Sequence, residues 1–159
     1  MKRIALAAVC AALVFSGAVR AASAESHEGY YFPQAGSTEE YVARATVLPE
    51  ASRALRLGFV SEMTRQQLAL NYPPQYAVFA KGDEAEKLIV VALNDEIFRT
   101  LFRARGVLAQ LTAQARATPF FKDRNVDDVF TFFDLLKLMG FAQLTISDGQ
   151  TWAHRVEFK

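Results

Sequence analysis

Ser147, Asp148 and His154 fall within one short stretch, SDGQTWAH, and are the residue types of a nucleophile, an orienting acid and a base. That chemistry needs the serine hydroxyl within about 3 Å of the imidazole, so the hairpin carrying them decides the matter. Residues 142–146 and 152–158 read as its strands. A Ser147-Asp148-Gly149 loop, with Gly149 in the left-handed region as a G1 bulge, pairs Ile146 with Gln150, Leu144 with Trp152 and Ala142 with His154. One face then holds Ala142, Leu144, Ile146, Trp152, His154, Val156 and Phe158. A two-residue Asp148-Gly149 loop would instead set Leu144 and Ile146 against Arg155 and Glu157. In the preferred register Ser147 and Asp148 sit at the tip. At about 3.4 Å per residue His154 is then more than about 10 Å away. The stretch reads as a turn in which Asp148 binds backbone amides and His154 faces the core. Ser147, Asp148 and His154 are the catalytic candidates, and the geometry disfavours them.

Other constellations are thinner. Arg99, Arg103 and Arg105 share the middle of the chain with Arg116 and could form an anion-binding strip, part of it neutralised by an Asp95–Arg99 pair. Asp127, Asp128 and Asp134 could hold a hard cation, but no loop of alternating acids surrounds them, and helix capping accounts for Asp127 and Asp128. His27 and His154 are the only histidines, too few for a histidine-rich metal site. No metal or other cofactor is expected. Phe79-Ala80-Lys81-Gly82 is a turn and lacks the phosphate-loop pattern.

The N-terminus reads MKRIALAAVCAALVFSGAVRAASA. Its basic start, apolar run and Ala-Ser-Ala exit make residues 1–24 a secretory signal peptide, with a run too short to span a bilayer. The expected location is the periplasm. Removing Lys2, Arg3 and Arg20 from 18 basic residues leaves 15 against 17 acids, a formal charge of −2. That balance gives no support to nucleic-acid binding. Cys10, the single cysteine, leaves with the leader, and thiol chemistry with it. The 135 residues that remain suit one domain with a real core.

Residues 25–36 read as an extended arm whose Tyr30, Tyr31 and Phe32 should dock on a partner or on the domain. Residues 37–159 form the globular unit. Ser37-Thr38-Glu39-Glu40 matches a capping box, yet Tyr41, Val42, Thr46 and Val47 favour a strand that Pro49 ends. A helix follows over 50–70, stopped by Asn71-Tyr72-Pro73-Pro74. Residues 75–80 and 87–93 are strands, and the unbroken run Leu88-Ile89-Val90-Val91-Ala92-Leu93 suggests a central one covered on both faces. Asn94-Asp95-Glu96 caps a helix to about 117 with a stripe of Ile97, Leu101, Leu108, Leu111 and Ala115. Gly106 inside it hints at close backbone packing. A phenylalanine-rich helix begins after Asn125 and ends at Gly140. Its apolar residues cover most of its circumference, leaving a polar stripe of Asp127, Thr131 and Asp134. Two-sided packing follows. The order β-α-β-β-α-α-β-β predicts an α+β two-layer domain, its sheet largely antiparallel and packed with about three helices.

The segments YYFP, LPEASRALRLGFV, YPPQYAVFAKGDEAEKLIVVAL and TFFDLLKLMGFAQLTISDG resemble those of a small family of exported alphaproteobacterial proteins without an established activity. Members are sometimes labelled as molybdopterin-guanine dinucleotide biosynthesis proteins. No Gly-rich nucleotide loop follows an N-terminal strand here, so the resemblance implies no site residues. The function expected is a periplasmic binding or accessory module acting on a protein or envelope component, more in keeping with the residues than an enzyme. The alternatives are a small hydrolase, an anionic-ligand binder, or carriage of a small ligand in a pocket between the phenylalanine-rich helix and the sheet.

Overall fold

The computed structural model describes residues 33–94 and 100–159. Residues Tyr30, Tyr31, Phe32, Asp95, Ile97 and Arg99 lie outside them. One five-stranded sheet organises the chain in the order β1-β5-β4-β3-β2. Its strands are β1 (Ser37–Tyr41), β2 (Tyr76–Lys81), β3 (Lys87–Ala92), β4 (Gln143–Ser147) and β5 (Ala153–Phe158). The helices are α1 (Arg53–Leu68), α2 (Leu101–Ala117), α3 (Pro119–Lys122) and α4 (Phe132–Leu138). The α+β domain and the order of its elements match the sequence pattern, with α3 adding a single turn. The pairs β2–β3 and β4–β5 are antiparallel hairpins, whereas β3–β4 and β1–β5 run parallel. Both parallel pairs join elements far apart in sequence.

The main core lies between the sheet and the helices. Leu88, Val90, Leu144, Ile146, Val156 and Phe158 face Ala104, Leu111, Phe132 and Leu136. Burying a leucine such as Leu136 or Leu144, both at 0 % exposure, contributes about 1.5–3 kcal/mol. Ile89 and Ala153 pack on the opposite face with Val91 and Ala35 of the incoming arm. Strand β3 is therefore the covered central strand its apolar run predicts.

Several boundaries move, each for a local reason. Strand β1 occupies the STEEY segment and ends at Tyr41. Val42 and Val47, expected within a strand, lie exposed in a loop that docks on α4 through a Leu48 N–H to Leu138 carbonyl bond of 2.9 Å. Helix α2 takes Thr100 as its N-cap, the hydroxyl accepting from Arg103 N–H at 3.3 Å, so the cap is not Asn94. Its buried stripe is Ala104, Leu111 and Ala115, while Leu101 is exposed. Gly106 faces open space, so no close backbone contact explains it.

Helix α4 starts at Phe132, not after Asn125. Thr131 caps it by a reciprocal box with Asp134, the pairing that satisfies two orphan amides at once. Asp127 and Asp128 precede this cap and play no part in it. The helix packs on two sides, Leu136 in the main core and Leu138 in a second cluster with Phe121, Ala115 and Ala45. Beyond it, the buried Arg56 side chain donates to the Met139 carbonyl at 3.2 Å and to the Glu84 carbonyl at 2.8 Å. Arg56 thereby ties α1 to the end of α4 and to the β2–β3 turn.

Candidate functional site

The β4–β5 hairpin keeps the expected face but changes its register. Ile146 lies opposite His154 and Ser147 opposite Ala153, so the connection spans residues 148–152 and Trp152 belongs to it. Gly149 takes the expected left-handed conformation (φ 77°). The longer loop is held by side chains. Asp148 Oδ1 accepts from the amides of Gln150, Thr151 and Trp152 at 2.9, 2.9 and 2.8 Å, and Oδ2 accepts from the Thr151 hydroxyl. Ser147 Oγ donates to the Trp152 carbonyl at 2.8 Å and accepts from Gly149 N–H at 2.9 Å. Burial pushes the Asp148 carboxyl up, but its backbone and hydroxyl donors outweigh that and hold it below the ordinary carboxylate range.

Ser147 is thus fully buried and committed to its own turn. Strand alternation turns it away from His154, onto the other face of the sheet. The structure does not bring Ser147 and Asp148 to the imidazole.

A different serine stands there. Parallel pairing sets Ser37 of β1 beside His154 and Glu39 beside Val156, which places Ser37, Glu39 and His154 on one face. Ser37 Oγ is 2.7 Å from His154 Nδ1, and Glu39 Oε1 is 3.3 Å from Nε2. The carboxylate is within ion-pair distance of Nε2 but makes no hydrogen bond to it. The buried nitrogen therefore has no hydrogen-bond partner. Arg105 Nη2 lies 3.9 Å from Glu39 Oε2, and the Trp152 ring stacks on the imidazole, 12° from parallel. His154 is 4 % exposed, whereas Ser37 is open to solvent.

Among the described residues of the arginine strip, each is engaged elsewhere. Arg105 turns to Glu39, Arg103 has an interaction partner of its own, and Arg116 donates to the carbonyls of Phe130 and Asp128. Asp134 is likewise no surface ligand. It is 0 % exposed, and its oxygens accept from Arg44 N–H and Thr131 N–H at 2.8 Å each and from the Tyr41 hydroxyl at 3.1 Å. Among the described residues no cluster of His, Cys, Asp or Glu is placed to hold a metal ion.

An apolar pocket of about 490 Å³ does border the phenylalanine-rich helix, but it opens among α1, α2 and α4 and not between that helix and the sheet. Leu55, Phe59 and Met63 line it from α1, Leu111 and Ala115 from α2, and Phe132, Leu135 and Met139 from the α4 segment. Its volume lies within the roughly 300–1,000 Å³ range of small-molecule sites. Its polar atoms are few. Gln67 Nε2 donates to the Tyr76 hydroxyl at 3.0 Å, while the buried Gln67 Oε1 has no partner. Burial, and then the neighbouring Tyr72, raises the Tyr76 phenol above its ordinary range.

Glu50 and Glu62 also line the pocket, and no lysine or arginine does. Glu62 is tied to Arg65 at 2.6 Å. Hydrogen bonds from Arg65 and Gln66 bring its carboxyl down to about 2. A second depression, bounded by Tyr72–Gln75 and Leu93–Asn94, is shallower and more polar. Comparison of the chain with protein-family models, with curated proteins and with solved structures found no match.

Proposed function

We propose that the protein is a binding module that takes a small, largely apolar ligand into the pocket between α1, α2 and α4. The supporting observation is an apolar cavity whose lining includes Gln67, with its Oε1 buried and unpartnered. Leaving such an acceptor buried costs about 1–3 kcal/mol, and a ligand N–H or O–H would remove that cost. Glu50 in the lining, with Glu62 paired to Arg65 and no lysine or arginine in the lining itself, favours a neutral or cationic amphiphile over a fatty acid or a phosphate ester.

The basic start and apolar run of residues 1–24 support export, and the periplasm is the compartment in which this module would work. No described helix is long and apolar enough to cross a membrane. The protein or envelope partner expected from Tyr30, Tyr31 and Phe32 would receive or supply the ligand. Native mass spectrometry of protein purified from its own host tests the reading. A retained apolar mass, absent from a Leu55→Trp variant that narrows the pocket, is expected. A bare polypeptide mass under mild desolvation, from every preparation, would overturn it.

A further inference from the structure

Independently of the pocket, we propose that Ser37 is an acyl-accepting nucleophile with His154 as its general base, and that the chain cleaves carboxylic esters at its β1–β5 edge. An exposed hydroxyl 2.7 Å from a sheltered imidazole nitrogen is the arrangement that nucleophilic catalysis requires. Glu39, 3.3 Å from the far nitrogen, favours the tautomer protonated at Nε2. The Nδ1 lone pair is then left for the serine proton. Trp152 stacks on the ring and fixes its plane, and Arg105 lies against the other oxygen of Glu39.

A simple strand latch accounts for the Ser37 bond but not for the rest. It gives no reason to bury an Nε2 without a hydrogen-bond partner and to set a carboxylate over it. A catalytic imidazole does, since the carboxylate stabilises the cation formed when the proton arrives.

In the acylation step Ser37 Oγ bonds to the ester carbonyl carbon while its proton passes to His154 Nδ1. Collapse of the tetrahedral adduct breaks the bond between the acyl carbon and the alkoxy oxygen, and the departing oxygen takes that proton. Water, deprotonated by the same nitrogen, then attacks the acyl-serine. The acid is released and the hydroxyl restored.

The test treats the purified full chain with a fluorophosphonate probe, followed by peptide mass spectrometry, and with p-nitrophenyl acetate. Ser37 carries the phosphonyl group, Ser147 does not, and Ser37→Ala abolishes both labelling and p-nitrophenolate release. His154→Gln slows labelling by about 10²-fold or more, the usual share of a general base. Should that buried variant fail to fold, Glu39→Gln provides the second arm, because Glu39 acts as a positioning residue. It slows labelling at an unchanged urea midpoint, and Glu39→Asp restores the rate. No phosphonyl group on Ser37 of the wild type overturns the proposal, as do equal labelling rates in the wild type and in folded His154→Gln.

Discussion

Replacing Asp134 by alanine should cost about 3–5 kcal/mol, and the structure shows where that figure comes from. The carboxylate is fully buried and takes four donors: the amides of Arg44 and Thr131, the Thr131 hydroxyl and the Tyr41 hydroxyl. Truncation leaves the two amides without those acceptors, at about 1–3 kcal/mol for each orphaned buried group. The Thr131 amide is the donor of Asp134's half of the capping box, so that loss is already included. Local relaxation and water entry beside the partly exposed Arg44 loop return some of this, so the range stays short of the upper end of the sum of about 2–6 kcal/mol. For a domain of this size each kcal/mol corresponds to about 3–5 °C in Tm, and the variant should melt about 10–20 °C below the wild type. Urea and thermal denaturation followed by circular dichroism measure both quantities. Asp128→Ala, at an exposed side chain just before the cap, is the control and should stay within about 0.5 kcal/mol. A loss below about 1 kcal/mol for Asp134→Ala would refute the reasoning.

Two glycines, one inside a helix and one just past a helix end, should respond with opposite signs. Gly106→Ala adds a methyl to open space in mid-helix and should stabilise by about 0.5–1 kcal/mol. Gly140→Ala forces a side chain into the left-handed region (φ 81°) and to 2.7 Å from Arg56 Nη1, costing about 1–3 kcal/mol; urea midpoints report both. The β4–β5 loop should weaken in acid. Because the folded-state pKa of Asp148 is depressed, its contribution is fully present above the unfolded value of about 3.9 and is lost as pH falls through the lower folded value. Asp148→Ala should therefore flatten the acid limb of stability against pH, and an unchanged limb would count against the Asp148 network.

What the sequence shows clearly is whatever depends on local patterning. The run at residues 88–93 marks the central strand, and the alternation around Leu144, Ile146, Val156 and Phe158 selects the correct face of the last hairpin. The same alternation cannot count loop residues. Asp148 replaces ladder bonds with bonds from its own carboxylate, a side-chain effect that turn lengths do not encode. Asp134 reads as part of a polar stripe because helical periodicity treats an acid as solvent-facing. The Thr131-x-x-Asp134 spacing ahead of an apolar run was nevertheless a legible capping signal. Ser37 and His154 are 117 positions apart. Only parallel pairing of the first and last strands joins them, and no local motif announces it. A pocket at the phenylalanine-rich helix is foreseeable from its all-round apolar surface, but its walls are not, since the gap arises from how three helices meet.

The binding reading is tested most directly by titrating purified protein with N-phenyl-1-naphthylamine, a neutral apolar fluorophore, and with an anionic sulfonated analogue of the same ring system. Saturable binding of the neutral probe is predicted, at least about tenfold tighter than that of the anion, and lost in Leu55→Trp at unchanged stability. Absence of saturable binding by the wild type, or equal affinity in the wild type and the narrowed variant, would contradict the account.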